Sequence, residues 1–231
     1  MFANANISDV DLSSFEIFSS MSEEDLSEVK RLLFRRTYKK NQVLFTEGDP
    51  RERIFLLKEG YVKLEKTNID ATMLYINYIK PNDIFPYVGL FTETFYRYSA
   101  YALTDIDIYY IPTGHFESLI RDKNDQLYFI LKRLDLLTKR HQDRLQTVST
   151  SFATDRVEQS IGYLVKNFSI ETEEGYYVDI PVTMMELAKV AGTTRETVSH
   201  VYRDLKQDDI ISMDGKHIIV HDMDYFINKS T

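Results

Sequence analysis

The sequence predicts an α+β chain in which a strand-rich first half is followed by one long helix and then a winged helix-turn-helix. Three observations predict it. Turn-forming residues recur roughly every ten positions between Asn41 and Pro112. An apolar stripe spaced by threes and fours runs from Asn124 to about Val148. Between Thr183 and Val220, two capped helices meeting at a glycine precede a hairpin signal.

Taken in order, Glu23 to Leu33 reads as a short helix, and the Arg35-Arg36 and Lys39-Lys40 pairs after it read as solvated charges rather than a nucleic-acid patch. Turn signals at Gly48-Asp49-Pro50, Glu59-Gly60, Asn68-Ile69-Asp70 and Pro81-Asn82-Asp83 punctuate the segment from Asn41 to Pro112, so its short strands suggest a β-sandwich or roll. Val62 and Leu64 alternate with Lys63 and Glu65, and Ile106 and Ile108 with Asp105 and Asp107, as half-buried strands require.

The long helix carries Leu127, Ile130, Leu131, Leu134, Leu137, His141, Leu145 and Val148 on one stripe, flanked by Lys132, Arg133, Lys139, Arg140 and Arg144. Such a stripe fits one face of an intramolecular bundle and a two-stranded coiled coil equally well. A further helix begins at Thr154-Asp155-Arg156-Val157, with Val157, Ile161, Leu164, Val165 and Phe168 apolar, which leaves Ser149 to Thr154 as the candidate hinge. His141, inside the stripe, reads as packed or hydrogen-bonded.

Thr183 with Glu186, and Thr193 with Glu196, each fit the capping box, and Gly192 permits the turn between the two helices they start. Leu187 and Val190 on the first helix, and Val198, Val201, Tyr202 and Leu205 on the second, form the apolar face. The opposite face of the second helix carries Arg195, Glu196, Ser199 and His200. An arginine can fork onto guanine O6 and N7 and a glutamate can accept from cytosine N4, and both sit in the N-terminal half that meets base edges. A lone Thr-x-x-Glu would indicate an ordinary capped surface helix. Here two boxes are followed by Ile210 to Val220 with Asp214-Gly215 between strand-like runs, which makes a winged helix that binds DNA.

The run Gly192-Thr193-Thr194-Arg195-Glu196-Thr197-Val198-Ser199-His200, followed by the Asp214-Gly215 wing, resembles the C-terminal domain of the Crp/Fnr transcription regulators. The resemblance implies an N-terminal β-roll of the cyclic-nucleotide-binding type over residues 1–122, a dimerisation helix and hinge over 123–150, and the DNA-binding domain over 151–231. It puts Arg195 and Glu196 at base-reading positions, with Thr183, Thr194 and Thr197 near phosphates, Ser199 and His200 on the same face and Lys216 on the wing. It tips the stripe toward a dimer helix through Leu127, Leu131, Leu134 and Leu137. His200 stands where the best-known members have arginine, and is similar in this to the branch that regulates the arginine deiminase pathway in Gram-positive bacteria. Double-stranded DNA and a second copy of the chain are the implied partners, with RNA polymerase and an unidentified small-molecule effector beside them; no cofactor is implied.

The family's phosphate cassette opens with Gly-Glu and closes with Arg-Ser. Aligning Asp83 to Phe91 with it puts Pro86 and Tyr87 at the Gly-Glu positions, with Gly89 just beyond. Proline there removes a backbone donor and tyrosine replaces a carboxylate. Arg97 still matches the phosphate arginine, with Tyr98 or Ser99 next to it depending on a one-residue shift. The expectation is a regulator not controlled by cyclic AMP in the usual way, its pocket filled by some of the chain's 16 Tyr and 14 Phe or shaped for another small molecule. The alternatives are a cyclic-nucleotide-responsive regulator and a ligand-binding adaptor whose winged helix meets protein, which a gel shift separates from a DNA-binding regulator.

Other classes fall to composition. The 231 residues contain no cysteine, so disulfides, cysteine-ligated iron-sulfur clusters and thiolate zinc sites are excluded. A metal-dependent β-roll enzyme needs histidines inside the roll, and the first histidine is His115. Neither a Gly-rich phosphate loop nor a nucleophile elbow is present, so catalysis is not expected. A net charge of -8 argues against a protein that coats nucleic acid indiscriminately. No stretch approaches a membrane span, and Met1 to Asp9 lacks a basic region followed by an apolar run, so the expected location is the cytoplasm.

Overall fold

The computed structural model describes residues 10–67, 74–149 and 151–228. The N-terminal leader reading over Met1 to Asp9, the turn expected at Asn68-Ile69-Asp70, Thr150 of the expected hinge and the side chains of Arg144 and Val148 lie outside the described residues. The chain divides into two compact units that change over between Thr138 and Lys139.

In the first unit, helix α1 (Glu23–Leu32) starts at Ser22, whose hydroxyl accepts from the Asp25 amide. Eight strands follow: β1 (Phe34–Tyr38), β2 (Val43–Phe45), β3 (Arg53–Glu59), β4 (Val62–Thr67), β5 (Leu74–Ile79), β6 (Ile84–Phe85), β7 (Ser99–Ala102) and β8 (Ile106–Pro112). They form two four-stranded sheets ordered β1-β8-β3-β6 and β2-β7-β4-β5. The strand run therefore begins at Phe34, ahead of the expected Asn41, and Arg35 and Arg36 belong to a strand. Arg35 makes a paired contact of 2.9 and 2.8 Å with Asp107 on β8, and Lys39 meets Asp105 at 2.7 Å.

The two faces of the sheet built on β3 belong to two cores. Phe55 and Leu57 point between the sheets with Phe45, Phe85, Tyr96 and Tyr98. Ile54 and Leu56 point the other way, onto a cluster with Phe15, Phe18, Val29, Phe116, Ile120 and Ile130. Covered on both faces, β3 reads as an unbroken apolar run rather than an alternation. Asp107 departs from the expected alternation too, being only 7% exposed. Burial pushes its carboxyl up, but the hydrogen bonds and charges of Arg35 and Lys58 outweigh burial and hold it below the usual range.

Helix α2 (Thr113–Ile120) follows β8, and α3 (Asn124–Ser149) runs for 26 residues across the changeover between the units. Its stripe divides. Ile130 is buried in the α1-side core and Leu134 and Leu137 pack partly against it, whereas Leu131 is 63% and Tyr128 59% exposed and Leu145 also faces outward. Leu127 is half-buried. His141 is exposed and has polar or electrostatic interactions.

In the second unit, α4 (Ala153–Phe168), α5 (Met184–Ala191) and α6 (Arg195–Gln207) pack on one another. Strands β9 (Ser169–Thr172), β10 (Gly175–Val178), β11 (Ile211–Asp214) and β12 (His217–Val220) form a sheet ordered β11-β12-β10-β9, and α7 (Met223–Asn228) packs on α4. The wing is thus half of a four-stranded sheet whose other hairpin, over Ser169 to Val178, turns at Glu173-Glu174.

Candidate nucleic-acid interface

Two N-caps and one left-handed glycine set the geometry of the helix pair. The Thr183 hydroxyl accepts from the Glu186 amide at 3.2 Å, and Glu186 Oε2 accepts from the Thr183 amide at 3.1 Å, completing the expected capping box. Gly192 closes α5 at φ 59° and ψ 48°, a conformation that costs a residue with a Cβ and costs glycine little. The Thr193 amide then donates to the Ala188 carbonyl at 2.9 Å.

The second expected box slips by one residue. Thr193 is used in closing α5, and the cap of α6 is Thr194, whose hydroxyl accepts from the Thr197 amide at 3.3 Å. Glu196 is therefore the second helical residue and not the reciprocal partner of Thr193. Thr183→Ala and Thr194→Ala are each expected to lower stability by about 1 kcal/mol, and Thr193→Ala by a few tenths at most. Urea midpoints of the second unit's transition decide the register; a loss at Thr193 equal to that at Thr194 would restore the earlier start.

A residue with no local signal holds the turn. Arg156 on α4 donates through Nε to the Ala191 carbonyl at 2.9 Å and through Nη2 to the Gly192 carbonyl at 3.2 Å. A guanidinium at the end of α5 satisfies carbonyls that a helix C-terminus leaves open and meets the negative end of its dipole. Its partners lie 35 and 36 residues on, beyond the reach of sequence periodicity.

On α6, Val198, Val201, Tyr202 and Leu205 are buried, which turns Arg195, Glu196, Ser199, His200 and Arg203 outward together. Thr197 is half-buried. Hydrogen bonds from its own backbone amide and from the Thr194 hydroxyl hold the Glu196 carboxyl below its usual range, so it is ionised and purely an acceptor. Arg203 donates from Nη2 to His200 Nδ1 at 2.7 Å. Lys216 is exposed at the tip of the β11–β12 hairpin, where Asp214 pairs with His217 and Gly215, at φ 57°, makes the tight turn.

The five residues expected around an effector sit in different surroundings. Tyr87 is buried in the α1-side core with the Arg133 guanidinium 5.9 Å from its ring, and Arg133 pairs with Asp83. Pro86 follows β6 through a cis peptide. Gly89 sits at φ 89°, and a Cβ there would lie 2.7 Å from that of Glu93. Arg97 is exposed and donates to Glu93 at 3.0 and 2.5 Å. The Ser99 hydroxyl on β7 accepts from the Glu47 amide.

Rings stack on one another between the sheets. Phe45 stacks on Tyr96 at 3.8 Å and Phe55 on Phe85 at 5.4 Å between centroids. Burial pushes the Tyr96 phenol up to about 12 and likewise raises those of Tyr87 and Tyr98, so all three are neutral. A cleft of 210 Å³ beside Phe45 and Tyr96 is also lined by Asp49, Glu52 and Arg53. It is smaller than the roughly 300–1,000 Å³ of small-molecule sites.

Unforeseen in the sequence, Arg51 is buried. It donates from Nη1 and Nη2 to Glu117 Oε1 on α2 at 2.9 and 3.0 Å. The same oxygen accepts from the amide of Phe91, which holds a left-handed φ of 63°.

Among family models, one for the cyclic nucleotide-binding domain matches residues 35–132 and one for the Crp-like helix-turn-helix domain matches residues 160–227. The chain is 25% identical over 221 residues to the HTH-type transcriptional regulator ArcR of Staphylococcus epidermidis, covering 95% of this chain and 96% of that one. It is 24% identical over 189 residues to the Global nitrogen regulator of Nostoc sp. strain PCC 7120, covering 80% and 84%. Its fold matches the structure of FixK2 from Bradyrhizobium japonicum with a TM-score of 0.74 at 18% identity, covering 86% and 98%. Among the described residues no helix is long and apolar enough to cross a membrane.

Proposed function

Because the chain belongs to the Crp/Fnr family of transcription regulators, we propose that it binds a palindromic operator as a homodimer and reads it with the outward face of α6. The single observation that carries this reading is that face: Arg195, Glu196, Ser199 and His200 stand exposed together, opposite four buried apolar residues, on a helix capped at Thr194. Thr183, Thr194 and Thr197 at the helix starts and Lys216 on the wing are the phosphate contacts, and these fix position without specifying sequence. Two-fold symmetry sets the two α6 helices in successive major grooves, about 34 Å apart. The dimer forms along α3, in a chain organised as a roll over 1–122, a helix and hinge over 123–150 and a DNA-binding domain over 151–231. The net charge of -8 keeps non-specific affinity low, so occupancy depends on the paired half-sites.

The protein works in the cytoplasm as a regulator, not an enzyme, with RNA polymerase as its further partner. Cyclic AMP does not control it: Tyr87 and Pro86 stand in place of the ribose-binding pair, stacked rings occupy the roll and Arg97 is engaged by Glu93. Any effector acts by binding one hinge state more tightly than the other. The arginine deiminase promoters are the first to test, on the motif's resemblance to that branch.

In anisotropy titrations on a selected operator, Glu196→Ala is expected to relax discrimination at one base pair per half-site by about 1–3 kcal/mol. Millimolar cyclic AMP is expected to leave the same isotherms unchanged. A wild-type chain that selects no sequence would remove the DNA-binding reading, and tightening by cyclic AMP would reinstate nucleotide control.

A further inference from the structure

We propose that His200 acts as an obligate hydrogen-bond donor toward the operator because Arg203 fixes its tautomer, making Arg203 a specificity-positioning residue. The inference rests on the reading of α6 as the recognition helix and adds what that helix discriminates. Arg203 Nη2 lies 2.7 Å from His200 Nδ1. A guanidinium only donates, so Nδ1 of the neutral ring must accept and the proton sits on Nε2. Positions three apart on a helix share a face, so the contact needs no distortion of α6. Arg203 is itself steered by Asp204, whose Oδ1 accepts from its Nε and Nη2 at 3.4 and 3.3 Å.

The consequence is chemical complementarity along one helix face. Glu196 is a pure acceptor and His200, four residues on, a pure donor, separated by about 6 Å along the axis. In the major groove guanine offers only the acceptors N7 and O6, whereas cytosine offers only its N4 amino donor. Glu196 therefore favours cytosine over guanine and His200 guanine over cytosine, at different base pairs. A histidine free to exchange tautomers would accept either edge and discriminate less.

The test uses the full-length chain and an operator panel carrying all four base pairs at each half-site position. His200→Ala and Arg203→Ala are expected to flatten the preference at the same base pair, each by about fivefold, and that pair differs from the one flattened by Glu196→Ala. Arg203→Lys, which keeps a donor, is expected to restore part of the preference. Nitrogen-15 shifts of the His200 ring in the free protein report the tautomer directly: Nε2–H in the wild type and a mixture in Arg203→Ala. An Arg203→Ala variant that loses affinity evenly across the panel, as a phosphate contact would, overturns the proposal, as does an Nδ1–H ring in the wild type. If no operator is selected at all, both this proposal and the DNA-binding reading fall; an Nδ1–H ring alongside intact operator selection fells this proposal alone.

Discussion

Glu117→Ala is expected to destabilise the first unit by about 3–5 kcal/mol, the cost of removing one partner from a buried ion pair. The Arg51 side chain is 2% exposed and that of Glu117 16%. Without the carboxylate, two guanidinium contacts of 2.9 and 3.0 Å are lost and the buried charge keeps only the Glu93 carbonyl, at 3.3 Å. Arg51 Nε already has no protein partner, so nothing adjacent takes over. The Phe91 amide loses its acceptor in the same step, in a backbone conformation that is strained for an aromatic residue. Glu117→Gln keeps a carbonyl acceptor and is expected to lose less. Urea denaturation of the three proteins measures this; a loss below about 1 kcal/mol in Glu117→Ala would show that the pair contributes little more than an exposed one.

A double substitution, Leu131→Asp with Leu145→Asp, is expected to give folded monomers whose operator affinity falls by about 10²–10⁴-fold, the range by which linking two sites exceeds one. Both leucines face outward from α3, so charging them costs the isolated subunit little while placing paired carboxylates in a helix–helix seam. Leu134→Asp is expected to behave differently. Leu134, partly buried, packs against the core cluster that contains Phe116 and Ile120, and a charge there loses solvation without gaining a partner, so the unit is expected to unfold before its oligomeric state can be read. Light scattering with anisotropy on the operator distinguishes the cases. A double mutant that stays dimeric at micromolar concentration would place the dimer contact elsewhere.

Much of the second unit was legible in the sequence because its signals are short-ranged. A capping box spans four residues, a hairpin turn two, and the polar face of α6 follows from the spacing of Val198, Val201, Tyr202 and Leu205. The slip of Thr193 for Thr194 has a definite cause. Adjacent threonines offer the same hydroxyl, and the choice falls to whichever amide closes the preceding helix; the Thr193 amide does so, against Ala188. The helix α1 and the long α3 were legible for the same reason, whereas the strand β1 hid among basic residues, two of which, Arg35 and Lys39, find their partners Asp107 and Asp105 far along the chain.

The sequence by itself determined that this chain carries a helix-turn-helix with a wing, and which face of α6 is left polar. Only the tertiary structure decided that Tyr87 packs in a core, that rings occupy the roll, that Arg51 is buried on Glu117, that Arg156 clamps the helix turn, and that one apolar stripe on α3 serves two faces. The physical reason is the range of the forces that fix each feature. Caps and turns satisfy backbone groups a few residues away, while burial and ion pairing depend on neighbours such as Glu117, 66 positions from Arg51, that periodicity does not register.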